Sequence, residues 1–180
     1  MLKKVSIIPT GNEIYNGVVI DTNSPAIMQI ILENFPQCEI TREKPVIDKE
    51  NKIVEKIDKC VSKESDLIII IGGSGGGFRF DSSLAEDYTH SAIISYLTEY
   101  TSREIYGKNG HLWSKIVYGR KDSTIVTNVP GPYVEALAAA KALVKSLKED
   151  TEDSQSICED MANAVISNYP SKEGIKCVRI

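Results

Sequence analysis

A run of five apolar residues that ends in a glycine-rich segment constrains this chain more than any other feature. The run is Leu67-Ile68-Ile69-Ile70-Ile71, and Gly72-Gly73-Ser74-Gly75-Gly76-Gly77, here named the glycine loop, follows it directly. An apolar run without polar alternation is typical of a strand buried on both faces, as in a parallel sheet. Glycines let the backbone turn sharply and approach a ligand closely. Because ligands of open α/β sheets bind beyond the carboxyl ends of the strands, we expect a binding loop here; a flexible loop is the alternative.

The overall composition is that of one globular domain. The chain has 180 residues, of which 42% are hydrophobic and 26% are charged. These values suit a soluble protein with a substantial core. A net charge of −4 and a pI near 5.3 offer no basic surface for nucleic acid. No apolar run is long enough for a membrane span or a signal peptide, so no membrane partner is expected.

The cysteines indicate a reducing compartment. Cys38, Cys60, Cys158 and Cys177 are scattered along the chain, and none forms a Cys-x-x-Cys pair. Spaced thiols without a disulfide framework or zinc-ligand spacing are typical of cytoplasmic proteins. We therefore expect four reduced thiols, a cytoplasmic location and no zinc site.

Strand and helix patterns alternate along the chain. Strands are predicted over residues 4–9, 39–46 and 67–71, and a helical pattern follows each of them, at about residues 25–35, 48–61 and 87–100. Residues 115–118 and 124–129 predict a hairpin about the polar segment 119–123, and helices follow at about 133–148 and 157–165, the last stopped by Pro170. This order predicts an α/β fold with a mostly parallel, mixed sheet and one antiparallel pair.

Three of these helices begin at residues that suit an N-cap. Asn23 or Ser24 could cap the first helix, with Pro25 in its first turn, while Asp48 and Asp87 precede the next two. Side chains of these types accept hydrogen bonds from the free amides at a helix start. Capping is therefore one interpretation of each residue, beside any role in a site.

The glycine loop does not match the common nucleotide motifs. A Walker loop ends in Gly-Lys-Ser/Thr, but here Phe78 follows Gly77. The dinucleotide fingerprint Gly-x-Gly-x-x-Gly fails as well, because Gly73-Ser74-Gly75 runs into Gly76-Gly77-Phe78. What remains is a row of backbone N–H groups that can form an anion-binding concavity, for which phosphate is the natural ligand.

Three segments in this order and spacing resemble the molybdopterin-binding domain of the molybdenum-cofactor biosynthesis family. They are Thr10-Gly11-Asn12-Glu13-Ile14 with Asp21-Thr22-Asn23-Ser24, then Gly72-Gly73-Ser74-Gly75, and Asn128-Val129-Pro130-Gly131-Pro132 before an Ala-rich helix. The resemblance covers about residues 3–148. Competence/damage-inducible protein A has a similar N-terminal domain.

The resemblance implies a three-layer α/β/α fold that commonly self-associates, so a homo-oligomer is expected. It also implies a pterin phosphate ligand of the molybdopterin type and, in stand-alone members, Mg²⁺- and ATP-dependent adenylation of that phosphate. Residues 1–148 would form this domain, with 149–180 as an acidic linker and a C-terminal helix packed on it. The implied contact residues are Gly72, Gly73, Ser74, Gly75, Gly76, Gly77, Thr10, Glu13, Asp21, Asn23, Pro130 and Gly131.

Two carboxylates are implied as catalytic and metal-binding residues. The family places an Asp-x-Thr soon after the glycine segment, and Asp87-Tyr88-Thr89 has that form after an insertion over residues 78–86. Asp81 is closer in spacing but lacks the threonine, so Asp87 is favoured and Asp81 is kept as the alternative. Asp48 matches the family's other carboxylate, in a turn before a helix. Either pairing could hold Mg²⁺ together with phosphate oxygens.

Other residues are weaker candidates. Lys108, His111 and Arg120 are cations that could reach the second half of the site, although ordinary surface roles are the simpler interpretation. Residues 106–113 are rich in side chains that stack or donate hydrogen bonds, so this segment is expected either to line the site or to pack as a surface loop. Asp21, Thr22 and Asn23 suit a capping turn as well as a ligand contact.

Three functions remain open on the sequence. The first is a molybdopterin-binding biosynthetic protein with adenylyltransferase activity. The second is a nucleotide pyrophosphatase of the competence/damage-inducible type. The third is a non-catalytic cofactor-binding module, which the insertion after the glycine loop would permit.

Overall fold

The computed structural model describes residues 2–77, 86–169 and 174–180, which form one mixed sheet with helices on both faces. The strands are β1 (Lys4–Pro9), β2 (Glu39–Arg42), β3 (Leu67–Ile71), β4 (Glu99–Tyr106), β5 (Leu112–Lys121), β6 (Thr124–Val129) and β7 (Lys176–Arg179). The helices are α1 (Asn12–Tyr15), α2 (Asn23–Asn34), α3 (Glu50–Ser62), α4 (Thr89–Tyr96), α5 (Tyr133–Lys148) and α6 (Ser154–Ile166).

The sheet has a parallel half and an antiparallel half. Its strand order is β2-β1-β3-β6-β5-β4-β7, in which β2, β1, β3 and β6 are parallel neighbours. Each of β5, β4 and β7 runs antiparallel to the strand beside it. The mixed sheet agrees with the sequence prediction, and its antiparallel part extends beyond the single hairpin that was expected.

The apolar run Leu67–Ile71 forms a central strand between two helical layers. Every residue of this strand is buried. Leu67, Ile69 and Ile71 pack with the layer of α2, α5 and α6, whereas Ile68 and Ile70 pack with that of α3 and α4. Because successive strand side chains point to opposite faces, a strand covered on both sides needs apolar residues throughout. The three-layer α/β/α arrangement follows from this double burial.

Several local predictions are confirmed. The Ala-rich helix spans Tyr133–Lys148, and β5 and β6 form the predicted hairpin. Its turn is shorter than the predicted segment 119–123, because β5 spans Leu112–Lys121 and pairs with β6 through Lys121. Asn128 supports this hairpin from inside, since its Oδ1 accepts the Val117 amide at 2.7 Å and its Nδ2 donates to the Lys115 carbonyl at 2.9 Å. Part of the Asn-Val-Pro-Gly-Pro segment is therefore structural.

The helix predicted to reach residue 100 ends earlier. Helix α4 stops at Tyr96, and Tyr100 belongs to β4, a strand that the sequence did not indicate. Residues 101–105 of this strand are buried although most are polar. Arg103 finds its partners in α6, where its Nη2 lies 3.2 Å from Glu159 and 3.4 Å from the Gln155 carbonyl. Polar residues can occupy a buried strand because tertiary contacts satisfy them.

The structure corrects the predicted caps. The N-cap positions of α2, α3 and α4 are Thr22, Lys49 and Tyr88, and none of these makes a side-chain capping bond. Asn23 and Ser24 lie inside α2, and Pro25 follows them rather than opening the helix. Asp48 does not cap α3, because its carboxylate accepts a hydrogen bond from the backbone N–H of Asn12. Asp87 precedes the N-cap of α4 by one residue.

Other boundaries differ by a few residues. The second strand ends at Arg42, and only Val46 of the remaining predicted segment forms a bridge, to Thr10. Helix α6 ends at Ile166. Pro170, which was predicted to stop this helix, lies outside the described residues. Strand β7 follows and pairs with β4. In the described residues, no helix combines the length and apolar character that crossing a membrane requires.

Candidate functional site

A cleft of about 650 Å³ opens at the carboxyl ends of the parallel strands β1, β3 and β6. These three strands are neighbours, so the segments that follow them meet at one edge of the sheet. Every implied contact residue that the structure describes lines the cleft: Thr10, Glu13, Asp21, Asn23, Asp48, Gly72, Gly73, Ser74, Gly75, Gly76, Gly77, Asp87, Pro130 and Gly131. Asp81 lies outside the described residues.

The glycine loop turns through backbone conformations that favour glycine. Gly72 and Gly73 have φ values of 91° and 59°. A Cβ atom at Gly73 would lie 2.5 Å from Thr89 Oγ1, and one at Gly72 would lie 3.1 Å from Thr10 Oγ1. The loop therefore requires glycine at these positions for both its conformation and its packing.

Three carbonyl groups of the loop, those of residues 73–75, are hydrogen-bonded to the surrounding structure. The Gly73 carbonyl accepts the Thr89 amide at 3.0 Å, and the Ser74 carbonyl accepts the Lys115 amide at 2.7 Å. The Gly75 carbonyl lies 3.1 Å from His90 Nε2. These bonds come from α4 and β5 and hold the loop in one conformation.

The amides of the same three residues differ from their carbonyls. Gly72 and Gly76 donate to Val129 and Leu112, but the N–H groups of residues 73–75 donate to no described residue. Successive free amides in a glycine turn form a concavity that binds anions. Because these carbonyls are hydrogen-bonded and these amides have no acceptor among the described residues, the loop suits a phosphate group rather than a cation.

Hydroxyl groups beneath the loop are engaged in internal bonds. Thr10 Oγ1 donates to the Ile71 carbonyl at 2.8 Å and lies 3.2 Å from Thr89 Oγ1. Ser114 Oγ donates to Ser74 Oγ at 3.2 Å. Thr10 and Ser74 are both buried. Thr10 thus supports the loop through its hydroxyl, and Ser74 keeps its own hydroxyl hydrogen for another acceptor.

Asp48 is a buried carboxyl group among other acids. Burial raises its pKa to about 6. The bond from Asn12 opposes this rise, whereas Glu13, Asp87 and Glu86 reinforce it. The predicted pair Asp48 and Asp87 is therefore close enough to interact electrostatically. A cation between them would reverse the rise.

The described residues that line the cleft make it acidic. Its carboxyl groups are those of Glu13, Asp21, Asp48, Glu86, Asp87 and Glu135. No Lys or Arg of the described residues lines it, and Lys108 and Arg120, which were candidates from the sequence, lie elsewhere. His111 does line the cleft, as the sequence suggested. An anionic ligand would therefore need backbone amides and an added cation.

The described residues do not form a complete metal site by themselves. Among the described residues, no group of three or more His, Cys, Asp or Glu side chains is arranged to hold an ion by itself. Mg²⁺ commonly binds through one or two carboxylates, with phosphate oxygens and water completing its shell. Asp48 and Asp87 fit that pattern.

The turn before α2 combines structural and lining roles. Asp21 Oδ1 accepts the Ser24 amide at 3.0 Å, and its Oδ2 accepts Arg42 Nε at 2.8 Å. Burial alone would raise the Asp21 pKa, but the bonds from Ser24 and Arg42 outweigh it and lower the pKa. Asn23 Nδ2 donates to the Gly131 carbonyl at 2.7 Å. This bond connects two of the three segments that resemble the family, the one that contains Asn23 and the one that contains Gly131.

An aromatic pair that the sequence did not bring together also lines the cleft. Trp113, from the segment singled out as a site lining, meets Tyr169 with ring centroids 4.6 Å apart and planes at 62°. Tyr169 Oη donates to Glu135 at 3.5 Å, and both residues line the cleft. No local sequence signal marks Tyr169 or Glu135, since only the packing of α6 on α5 brings them here.

Comparison with solved structures shows the same fold. The molybdopterin biosynthesis enzyme MoaB from Thermus thermophilus has a TM-score of 0.65 at 21% identity, covering 90% of this chain and 98% of its own. The Mog protein from Mycobacterium ulcerans has a TM-score of 0.57 at 20% identity, covering 92% and 93%. CinA from Thermoplasma acidophilum, described as of unknown function, has a TM-score of 0.57 at 17% identity, covering 83% and 98%.

Sequence comparison assigns the family. No curated protein matches the chain in sequence. The profile of the family described as "Probable molybdopterin binding domain" matches residues 6–149, which contain all three family-like segments and the glycine loop. The chain therefore belongs to the MoCF_biosynth family, the probable molybdopterin-binding domain, and two of the solved structures that share its fold, MoaB and Mog, are named as molybdopterin biosynthesis proteins.

Proposed function

We propose that this protein binds a pterin phosphate of the molybdopterin type and transfers an adenylyl group from ATP to that phosphate. The observation that carries the proposal is the glycine loop, in which the carbonyls of residues 73–75 are hydrogen-bonded while their amides donate to no described residue. Hydrogen bonds from such amides to a charged phosphate are stronger than those between neutral groups. A loop already held in place also loses little entropy when the ligand binds.

Charge in the cleft supports a requirement for a cation. Six carboxyl groups line it, and no lysine or arginine of the described residues offsets them. Two phosphorylated substrates would be repelled from such a site without a counter-ion. Asp48 and Asp87 are the residues that would hold Mg²⁺, which when bound neutralises phosphate charge and aligns the reacting groups.

The proposed reaction is a substitution at phosphorus. An oxygen of the pterin phosphate attacks the α-phosphorus of ATP and forms a new P–O bond. The bond from that phosphorus to the oxygen shared with the β-phosphate breaks, and pyrophosphate leaves with the electron pair. Phosphoryl chemistry of this kind depends mainly on positioning and charge stabilisation. The amides of residues 73–75 would hold the attacking phosphate, and Ser74 can donate one further bond.

Calorimetric titration combined with product analysis tests this proposal. The purified chain is titrated with molybdopterin, with ATP and with ADP-ribose, each with and without Mg²⁺, and the products are separated by chromatography. We expect molybdopterin to bind and an adenylylated pterin and pyrophosphate to form only with ATP and Mg²⁺. Asp87→Asn should lose roughly 100-fold or more in turnover while retaining pterin binding. Asp160→Asn, on the exposed face of α6, is the matched control.

The other outcomes select among the remaining functions. Pterin binding without adenylyl transfer, under every cation condition, would support a non-catalytic cofactor-binding module. Hydrolysis of ADP-ribose without pterin binding would support a nucleotide pyrophosphatase. Absence of binding to all three ligands would overturn the assignment of the glycine loop as a phosphate site.

A further inference from the structure

Trp113 and Tyr169 form an aromatic wall next to the glycine loop. Both line the cleft, and the Trp113 side chain keeps 37% of its surface exposed. The Trp113 carbonyl would lie 3.3 Å from a Cβ atom placed on Gly75, so the residue carrying the indole adjoins the loop. An exposed indole in a concave site offers a flat apolar surface within reach of a ligand held by the loop.

Both rings are held by specific neighbours. A Cβ atom on Gly107 would lie 2.1 Å from the indole of Trp113, so the absence of a side chain there makes room for the ring. Tyr169 meets the indole edgewise, and its hydroxyl donates to Glu135 on α5. Aromatic pairs with centroids this close attract each other beyond simple burial. The wall is therefore prearranged rather than assembled by a ligand.

The charge of the cleft makes this wall important for affinity. Carboxyl groups surround the glycine loop, and the described residues supply no lysine or arginine to the lining. Free amides can hold a phosphate, but they cannot recognise what is attached to it. Stacking on an aromatic side chain works for any flat heteroaromatic ring and does not depend on charge.

We infer that Trp113 and Tyr169 bind the planar bicyclic ring of the phosphorylated ligand, and so determine which phosphates the glycine loop accepts. This inference rests on the proposed function, in which the loop binds phosphate. Tyr169 lies beyond residues 6–149, the part of the chain matched by the family. The aromatic wall is thus completed by a residue that follows α6.

The single tryptophan of the chain provides a direct measurement. Trp113 is the only indole, so its fluorescence reports on this wall alone. The probes are neopterin monophosphate, AMP and inorganic pyrophosphate, each titrated in the presence of Mg²⁺, with free N-acetyltryptophanamide correcting for light absorbed by the pterin. We expect the ring-bearing probe that binds to change the Trp113 emission saturably, and pyrophosphate to bind without a comparable change. The probe with the larger effect distinguishes a pterin from an adenine ring.

Variants separate the ring contact from the phosphate contact. By calorimetry, Trp113→Ala should weaken binding of the ring-bearing probe about 10- to 100-fold, as expected for a lost stacking contact, and leave pyrophosphate binding nearly unchanged. Trp113→Phe should restore most of the affinity. Tyr169→Phe keeps the ring and should bind nearly as the unmodified chain does, whereas Tyr169→Ala should weaken binding. Tyr100→Ala removes an exposed ring from β4, away from the cleft, and serves as the control.

The results that would overturn the inference are distinct from those that would overturn the proposed function. Equal affinity of neopterin monophosphate for the unmodified chain, Trp113→Ala and Tyr169→Ala, with thermal unfolding showing all three folded, would refute the aromatic wall and leave the phosphate site standing. Equal affinity for pyrophosphate and both ring-bearing probes would do the same. Failure of all three probes to bind the unmodified chain would refute the phosphate site and the wall with it.

Discussion

Asp48 and Asn12 are joined by two reciprocal hydrogen bonds beside the cleft. The backbone N–H of Asn12 donates to Asp48 Oδ2 at 3.2 Å, and the backbone N–H of Asp48 donates to Asn12 Oδ1 at 3.3 Å. These bonds connect the segment after β1 to the turn before α3, so they position a carboxyl group that is buried among other acids. This arrangement explains why a residue expected to cap a helix faces the cleft instead.

Replacing Asp48 with Asn should stabilise the ligand-free protein at neutral pH. Burial raises the Asp48 pKa from 3.8 to about 6, so between these values the folded state binds more protons than the unfolded state. The stability that this residue contributes therefore falls as the pH rises from about 4 to about 6. We expect Asp48→Asn to raise the free energy of unfolding by about 1–2 kcal/mol at pH 7.5, with a smaller difference at pH 4.

Urea denaturation across pH 4 to 8 without divalent cations measures this difference. Asp160→Asn removes an exposed carboxylate from α6 and should leave the curve nearly unchanged. The same scan with Mg²⁺ and pyrophosphate should remove the advantage of Asp48→Asn, because a bound cation favours the ionised carboxylate. A destabilising effect of Asp48→Asn at pH 7.5 in the absence of cations would contradict the pKa direction.

Gly73 in the glycine loop should not tolerate alanine. Gly73 has a φ of 59°, and an added Cβ would lie 2.5 Å from Thr89 Oγ1 and 3.2 Å from the Thr89 amide nitrogen. We expect Gly73→Ala to lower the free energy of unfolding by about 2 kcal/mol or more and to weaken pyrophosphate binding. Calorimetry and thermal unfolding measure the two effects.

Gly131 is the matched comparison for stability. A Cβ there would meet only Gly72 Cα, at an ordinary contact distance of 3.7 Å. Gly131→Ala should therefore change the unfolding temperature by no more than a few degrees. Similar unfolding temperatures for the two variants would show that the loop adjusts to a side chain at residue 73.

Asp21 should stabilise the start of α2 in a manner that depends on pH. Its carboxylate accepts the Ser24 amide and an Arg42 donor, and these bonds, which outweigh the opposing effect of burial, lower its pKa. The stability is present above the unfolded pKa of 3.8 and is lost as the pH falls through the lower, folded value. Asp21→Ala should cost about 1–2 kcal/mol at pH 7, most of it from the lost helix-start bond, because Arg42 is partly exposed.

Chemical denaturation at pH 7 and at pH 3 measures that dependence. Glu33→Ala removes an exposed carboxylate from the same helix and should have a small effect at both pH values. A cost of Asp21→Ala that is larger at pH 3 than at pH 7 would contradict the assigned sign.

The four thiols should differ in reactivity by their burial. Cys38, Cys60 and Cys158 are buried, and burial raises the pKa of Cys158 to about 12. Cys177 lies on the exposed strand β7, although its pKa is also raised by partial burial. Ellman's reagent at pH 8 should therefore modify one thiol rapidly and three only as fast as the protein opens. Cys177→Ser should abolish the fast phase, and two fast thiols would contradict the burial of the other three.

The elements predicted correctly from the sequence are those with strong local signals. The Leu67–Ile71 strand, the Tyr133–Lys148 helix and the hairpin at residues 122–123 each show a clear apolar run, helical period or turn. Strand β4 lacks such a signal, because its buried positions include Arg103 and Glu104. Those charges are satisfied by partners from α6 and β5, which no local pattern can specify.

The same distinction between local signals and tertiary contacts applies to the candidate site. The order and spacing of three segments were enough to predict where the cleft lies, because the carboxyl ends of parallel strands meet at one edge of the sheet. The state of each group in it was decided by tertiary contacts. These contacts donate hydrogen bonds to the carbonyls of residues 73–75 and accept one from the hydroxyl of Thr10. Burial in the folded protein also raises the pKa of Asp48.

By itself, the sequence determined a buried central strand, the glycine loop after it and the family to which they belong. Tertiary structure alone decided that the described lining of the cleft is acidic and that Tyr169 packs against Trp113 in it. The physical reason is that the two kinds of feature depend on interactions between residues at different separations along the chain. Backbone conformation and strand burial depend on neighbouring residues, whereas electrostatics and cavity walls depend on side chains that are distant in the chain and adjacent only after folding.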